Sequence, residues 1–169
     1  AQKYEMETSV DMVSEEGNRY PKVVWPALKY TDYCVVNEVE GTGVTGIQLY
    51  DKDGIKEENM RKGLEKLKEL GVKKWAIIHS PACGYGLNCQ TGEFVKVPSF
   101  KLPKGFIKGT TGAGDAFCSG VLYAAYQRES IEKALYYGAI TAACSLSKED
   151  STSGVMDLKE MKLFMKTNV

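Results

Sequence analysis

The 169-residue sequence has no excess of charge of either sign and no long apolar run. Its 22 Lys and Arg residues balance its 22 Asp and Glu residues, so it lacks the basic character that nucleic-acid binding requires. No apolar run approaches the roughly 18 residues of a membrane-spanning helix, and the first residues lack the hydrophobic stretch of a signal peptide. We therefore expect a cytoplasmic protein that binds neither nucleic acid nor a membrane.

Cysteine and histidine are also scarce. The five cysteines are odd in number, widely spaced and set mostly among apolar residues, which argues against a secreted disulfide framework and indicates reduced thiols. The single histidine, His79, lies near Cys83 and Cys89, but the spacing is not that of a zinc site. The sequence therefore predicts no zinc centre.

The composition is that of a folded chain. A hydrophobic share of 43% with 26% charged residues is ordinary for a globular domain and too apolar for a disordered one. The length is that of one domain, so residues 1–169 are interpreted as a single domain.

The first half of the sequence alternates strands with an amphipathic helix. Strands are predicted over residues 8–13, 33–37 and 74–79, and a short helix within residues 20–29. A longer helix is predicted over residues 56–70, where Met60, Leu64 and Leu67 recur at helical spacing and Gly71 stands where a helix C-cap belongs. A strand, a helix and a second strand in this order are typical of a βαβ unit and therefore of a parallel sheet.

The second half contains a predicted hairpin and then helices. The hairpin covers residues 84–98. Beyond Gly109 the pattern predicts one helix from Ala113 to Ala124, a second that Ser130 caps and that reaches about Leu146, and a third that Asp157 caps.

A glycine-rich turn, Gly109-Thr110-Thr111-Gly112-Ala113-Gly114-Asp115, opens the first of these helices. The first amides of a helix have no partner inside it, and the helix dipole favours an anion beside them. A carboxylate at this place has a function if it accepts a proton from an attacking hydroxyl, as in a kinase. The alternative is a tightly packed turn with a carboxylate that the dipole favours. The turn lacks the Gly-Lys-Ser/Thr of a P-loop, and no GxGxxG follows the first strand.

Residues 110–120, TTGAGDAFCSG, closely resemble the C-terminal signature of the pfkB carbohydrate kinases, the ribokinase-like family, whose pattern is D-T-x-G-A-G-D-x-F-x-x-G. The resemblance extends over nearly the whole chain. Asn37-Glu38-Val39-Glu40 is similar to the N-x-x-E motif at a strand end, a Thr-Gly pair follows at residues 45–46, and a helix rich in small residues covers residues 134–147. The resemblance implies an α/β fold, the C-terminal part of a ribokinase-like Rossmann-type three-layer sandwich, with a mostly parallel sheet plus a hairpin.

The function that the resemblance implies is ATP-dependent phosphorylation of a sugar hydroxyl. Asp115 is then the catalytic base, and Asn37 and Glu40 organise Mg²⁺ and the phosphates through water. From the residues alone, a turn-forming Asn and a solvated Glu remain the alternative for that pair. The remaining implied sites are an anion hole at Gly112, Ala113 and Gly114, and nucleotide contacts at Thr110, His79, Gly84, Ala139 and Ala143. Close helix packing is the alternative for the two alanines.

The sequence departs from the family pattern at two places. Gly109 replaces the Asp that usually opens the signature and is associated with a monovalent-cation site, so activation by such a cation is doubtful. The strand end that usually reads T-x-G-x-x-G is replaced by residues 79–84, HSPACG, in which Pro81 has no amide to donate. In the nucleotide role, His79 donates to a phosphate when its imidazole is protonated. The alternative is a hydrogen-bonded structural histidine at the strand end.

The N-terminal half of the family, with its sugar-binding loops and lid strands, has no counterpart in the sequence. We therefore interpret the chain as a C-terminal fragment of a kinase domain that is inactive by itself, with ATP, Mg²⁺ and a small sugar as ligands and a homodimer expected for the whole protein. One alternative is a degenerate nucleotide- or sugar-binding module that no longer transfers phosphate. Another is a kinase for a nucleoside or other small alcohol.

Overall fold

The computed structural model describes residues 1–14 and 19–169, with only the backbone of Gln2. A single 3₁₀ turn, Gln2–Tyr4, precedes the first strand. The strands and helices follow in this order: β1 Ser9–Val10, α1 Tyr20–Val23, α2 Trp25–Leu28, β2 Tyr33–Asn37, α3 Glu38–Thr45, β3 Tyr50–Asp51, β4 Gly54–Ile55, α4 Glu57–Glu69, β5 Trp75–His79, β6 Cys83–Asn88, β7 Phe94–Pro98, α5 Ala113–Tyr126, α6 Ile131–Ser145 and α7 Leu158–Asn168.

The chain divides into two compact units. The first comprises residues 1–80 and 85–96, and the second comprises residues 81–84 and 97–169. The interpretation of residues 1–169 as one domain stays a prediction.

Five strands form one sheet in the order β1-β2-β5-β6-β7. The sheet belongs to the first unit, except that the first two residues of β6 and the last two of β7 are assigned to the second unit. β1 pairs with β2, and β2 with β5, both in parallel. The register of β2 on β5 places Asn37 opposite His79 at the carboxyl ends of the two strands. The first four residues of both strands are buried, as a parallel strand covered on both faces requires. The predicted parallel sheet is confirmed.

β1 is shorter than the predicted strand over residues 8–13. The chain leaves the sheet at Asp11, whose carboxylate accepts a hydrogen bond from the Met12 amide over 2.8 Å. Such local side-chain to backbone bonds compete with strand pairing. The strand prediction is therefore wrong for residues 11–13.

Two further differences concern helices. The predicted short helix within residues 20–29 is two single turns, α1 and α2, each with a proline in its first two positions, because a proline that begins one turn cannot continue another. α4 matches the predicted helix, and Gly71 follows it with a φ of +117°. A Cβ at Gly71 would lie 2.6 Å from the Cα of Lys29, so neither the conformation nor the space admits another residue.

The predicted hairpin is present as β6 and β7. The two strands are neighbours in the sheet, and the Asn88 amide donates to the Glu93 carbonyl over 2.8 Å at the turn. A second, two-stranded antiparallel sheet of β3 and β4 was not predicted, because each of its strands has only two residues.

The second unit contains α5, α6 and α7. Ser130 accepts from the Lys133 amide at the start of α6, and Asp157 accepts from the Lys159 and Glu160 amides at the start of α7, so both predicted N-caps are confirmed. Ile140, Ala143 and Cys144 of α6 form a buried cluster with methionines of α7.

All five cysteines are free thiols, as the sequence indicates. Burial raises the pKa of the Cys144 thiol to about 11 and also raises the pKa of Cys89. In the described ranges, no helix combines the length and the apolar character that crossing a membrane takes.

Candidate active site

Asn37 and Glu40 form a capping box at the start of α3. The Asn37 side-chain oxygen accepts from the amides of Val39 and Glu40 over 2.9 and 2.8 Å. The Glu40 Oε2 atom accepts from the Asn37 amide over 3.0 Å. This reciprocal pattern satisfies three amides at the helix start, and it is a feature of the N-x-x-E segment that was not predicted from the sequence.

Glu40 is a buried carboxylate, with 5% of its surface exposed. Burial is the main influence on it and raises the pKa of the carboxyl group, the charge of Asp11 acts in the same direction, and the hydrogen bonds from Asn37 and Ser14 oppose the shift. Glu38 also has a pKa raised by burial, with a smaller contribution from the charge of Glu40. The alternative of a solvated Glu is therefore wrong for Glu40.

Ser14 completes this group of side chains. Its hydroxyl donates to Glu40 Oε1 over 2.9 Å and accepts from Asn37 Nδ2 over 3.3 Å. Ser14 was not predicted as a site residue, because it lies 23 residues before Asn37 and no local pattern marks it.

The side-chain oxygens at the start of α3 are suitable ligands for a Mg²⁺ ion that is held through water. Carboxylate and amide oxygens suit this hard cation, which usually keeps several waters and is bound by one or two carboxylates together with substrate phosphates. The Asn37 side-chain oxygen already accepts two amides, which favours contact through water over direct coordination. Among the described residues, no cluster of three or more His, Cys, Asp or Glu side chains is placed to hold a metal by itself.

His79 ends β5 opposite Asn37. Burial lowers the pKa of its imidazole to about 4, so the ring is neutral at neutral pH. The charged imidazole that donation to a phosphate was expected to need is thus disfavoured, and the assignment of His79 as a nucleotide contact stays a prediction.

The glycine-rich turn opens α5, as predicted. Gly112 is the N-cap with a φ of +81°, and α5 begins at Ala113. The Ala113 amide donates to the Thr110 carbonyl and the Ala116 amide to the Gly112 carbonyl. Within the described part of the chain, no backbone carbonyl accepts from the amides of Gly114 and Asp115. Two donors at the positive end of the helix dipole are therefore available to an anion.

Asp115 lies in the first turn of α5 with an exposed side chain. Across the described residues, no side chain forms an ion pair or hydrogen bond with its carboxylate. Thr110, two residues before Gly112, is also exposed. The turn thus combines free amides with a free carboxylate, which is the combination expected where a proton acceptor stands beside an anion.

Residues 148–151 pack against the glycine-rich turn from within the same unit. A Cβ at Gly109 would lie 2.7 Å from the Glu149 carbonyl oxygen, and a Cβ at Gly112 would lie 2.4 Å from the Ser151 Cβ. Contacts this close leave no room for a side chain. The absence of Asp at position 109 therefore accompanies a close approach of two backbone segments.

The remaining predicted nucleotide contacts lie in packed surroundings. A Cβ at Gly84 would lie 3.2 Å from Phe117 and 3.3 Å from Leu135. Ala139 and Ala143 are 7% and 4% exposed, and Ala143 belongs to the buried cluster of α6 and α7. Packing accounts for these three small residues without a ligand, and their nucleotide contacts stay predictions.

The structure brings together Ser14, Asn37 and Glu40 in the first unit. Thr110, Gly112 to Gly114 and Asp115 are together in the second unit. Two cavities of about 310 Å³ lie elsewhere: one follows β1 and is lined by Asp11, Arg19 and Tyr20 among others, and one lies among α5, α6 and α7. Neither is lined by Glu40 or Asp115.

The chain is similar in sequence to known carbohydrate kinases. The model of the pfkB family carbohydrate kinases matches residues 13–157. The chain is 27% identical over 127 residues to 2-dehydro-3-deoxygluconokinase of Escherichia coli, covering 75% of this chain and 41% of that protein.

Solved structures show the same fold. Arabidopsis thaliana ribokinase complexed with ribose and ATP aligns with a TM-score of 0.76 and 20% identity over 97% of this chain and 49% of the other. A ribokinase-like protein of E. coli in complex with ATP and Mg²⁺ aligns with a TM-score of 0.72 and 18% identity over 98% of this chain and 50% of the other. The chain thus spans half or less of the length of these relatives, and its fold is the ribokinase-like α/β fold.

Proposed function

Because the chain belongs to the pfkB family of carbohydrate kinases, we propose that the whole protein transfers the γ-phosphoryl group of ATP to a hydroxyl of a small sugar. The observation that carries the proposal is the first turn of α5, where the free carboxylate of Asp115 stands beside two free amides. ATP and a sugar as substrates are also supported by the ribose and ATP bound to the Arabidopsis ribokinase.

In this proposal Asp115 is the general base. Its carboxylate accepts the proton of the acceptor hydroxyl while the hydroxyl oxygen forms a bond to the γ-phosphorus. The bond from the γ-phosphorus to the bridging oxygen breaks, and ADP leaves with the electron pair. The free amides of Gly114 and Asp115 donate to the oxygens of the transferred group, where negative charge is spread in the transition state. The Ala113 amide, part of the expected anion hole, already donates to the Thr110 carbonyl, so Ala113 contributes through its place in the turn.

Asn37 and Glu40 hold Mg²⁺ in this proposal through water, with the ion neutralising part of the phosphate charge when bound. The buried Glu40 carboxylate and its two hydrogen bonds support this role. The similar E. coli structure, which is in complex with ATP and Mg²⁺, also supports ATP and Mg²⁺ as ligands. Thr110, exposed beside the turn, is the nucleotide contact that the geometry favours among those predicted. Gly109 has no side chain to serve a monovalent cation, so we expect no requirement for one.

The test is Asp115→Asn in the whole protein. This change removes the proton acceptor and one negative charge but preserves the shape. We expect kcat to fall by about two orders of magnitude or more, the typical contribution of a general base, and the affinity for ATP to be unchanged or slightly higher because a like charge has gone. Measurements of kcat, of ATP binding by calorimetry and of Tm on one preparation separate catalysis from stability.

Asp157→Asn is the matched control, because Asp157 is also an exposed carboxylate at the start of a helix in the second unit and Asn preserves its N-cap. We expect unchanged kcat for the control. Retained activity with a lowered Tm for Asp115→Asn contradicts the catalytic role.

A degenerate binding module is the second candidate, favoured by the neutral His79 and by Pro81 in place of an amide donor. It predicts ATP binding without turnover in the unmodified whole protein, whatever sugar, nucleoside or small alcohol is offered.

A further inference from the structure

Ser14 joins the Asn37 and Glu40 group from a distant part of the sequence. It follows β1, and its hydroxyl lies between the two side chains that the proposed function assigns to Mg²⁺, at 2.9 Å from Glu40 Oε1 and 3.3 Å from Asn37 Nδ2. No motif of the family resemblance includes it.

The hydrogen bonds of this group are complementary. Glu40 Oε2 accepts from the Asn37 amide, so the Ser14 hydroxyl supplies the donor for the other carboxylate oxygen. The Asn37 side-chain oxygen is occupied by two amides of α3, so Ser14 supplies the acceptor for the side-chain nitrogen. With the hydroxyl in place, both the carboxylate plane and the amide plane have one preferred orientation.

We propose that Ser14 is a positioning residue, whose hydroxyl orients the Glu40 carboxylate and the Asn37 amide for the Mg²⁺ that accompanies the nucleotide. The proposal rests on the proposed function. It does not place Ser14 in contact with the substrate or the ion, because the hydroxyl acts through the two side chains it bonds. Groups that hold a metal ligand in its orientation commonly change metal affinity by about 10- to 100-fold when they are removed.

A purely structural role has different consequences. Ser14 is exposed, and if its hydroxyl only tethers the segment after β1, its removal lowers Tm and leaves the Mg²⁺ dependence of nucleotide binding unchanged. Stability and Mg²⁺ dependence must therefore be measured separately.

The test compares Ser14→Thr with Ser14→Val in the whole protein. The two side chains have the same shape, but only Thr retains a hydroxyl. ADP affinity is measured by calorimetry with and without MgCl₂, together with Tm and with the KM for ATP and kcat at several Mg²⁺ concentrations. We expect Ser14→Val to bind ADP about tenfold more weakly than the unmodified protein with Mg²⁺ present and equally without it, and Ser14→Thr to retain most of the affinity.

Three results overturn the proposal. If Mg²⁺ strengthens ADP binding in the unmodified protein and Ser14→Val behaves identically, Ser14 has no positioning role and the proposed function stands. If Ser14→Val weakens ADP binding equally with and without Mg²⁺, the role is structural. If the unmodified protein neither binds ADP more tightly with Mg²⁺ nor turns over, the proposed function fails and this proposal fails with it. Ser14→Ala provides the same comparison if the valine variant is unstable.

Discussion

At the scale of the residue, Gly109 is the clearest departure from the family signature. A Cβ at position 109 would lie 2.7 Å from the carbonyl oxygen of Glu149 and 3.0 Å from that of Lys148. The substitution of Asp by Gly is thus coupled to the path of another segment of the same unit, and restoring the family residue is not a local change.

We expect Gly109→Asp to destabilise the protein by about 1–3 kcal/mol, the usual cost of forcing extra atoms into a packed site. Thr110→Asp is the control for stability, since it adds a carboxylate at the next, exposed position and should change the free energy of unfolding by less than about 0.5 kcal/mol. Urea denaturation measures both. Equal stability of the two variants would show that the 148–149 backbone moves away without cost.

His79 provides a second prediction at this scale, on pH. Its pKa is about 4 in the folded chain against an ordinary value of 6.5, so between these values the unfolded chain binds a proton that the folded chain does not. The contribution of His79 to stability is complete above pH 6.5 and is lost as the pH falls toward 4, with a slope of up to about 1.4 kcal/mol per pH unit.

The measurement is the free energy of unfolding from pH 7.5 to 4 for the unmodified chain and for His79→Gln. Glu38 and Glu40 have raised pKa values and act in the opposite direction, since the folded state binds their protons more readily. Both proteins contain them, so the difference between the two curves reports His79. A difference that does not change with pH would refute the assignment.

At the scale of the element, the α5 and α6 pair depends on a close backbone approach. A Cβ at Gly120 of α5 would lie 2.4 Å from the carbonyl oxygen of Tyr137 in α6. Phe117, Val121 and Ala124 on the same side of α5 are buried. Gly120 thus allows the close spacing of the two helices. Because Asp115 lies in the first turn of α5, this spacing also fixes the position of Asp115 relative to α6.

Gly120→Ala should lower the free energy of unfolding by about 1–3 kcal/mol, because the added methyl group meets backbone, which cannot rotate away, and this outweighs the helix propensity that Ala gains. Ser119→Ala, on the exposed side of the same helix, is the control and should change it little. Thermal or urea unfolding of both variants measures the change in the free energy of unfolding. A more stable Gly120→Ala protein would show that propensity dominates.

At the scale of the whole molecule, the chain spans half or less of the length of its relatives. It contains the residues proposed as base, as anion hole and as Mg²⁺ group. Positioning of the acceptor hydroxyl supplies a large part of phosphoryl-transfer catalysis.

We therefore expect the 169-residue chain by itself to bind ATP weakly and to turn over no sugar. Calorimetry with ATP and a coupled ADP assay over a panel of sugars measure the two properties. Robust turnover by this chain would show that its residues position the acceptor unaided and would contradict the expectation.

The sequence by itself determined the elements whose cause is local. The buried strands β2 and β5 follow from continuous apolar runs, α4 from helical spacing of Met60, Leu64 and Leu67, and the caps Ser130 and Asp157 from side chains that bond amides two or three residues away. The glycine-rich turn at the start of α5 was also predictable, because few residue types tolerate its backbone.

Only the tertiary structure decided what depends on distant partners. The burial of Glu40 and its bond to Ser14, the neutral state of His79 and the collision that a side chain at Gly109 would meet all involve segments far apart in sequence or the packing around a side chain. Periodicity and propensity describe how a segment relates to itself, whereas a pKa or a close contact is set by whatever the fold packs against it.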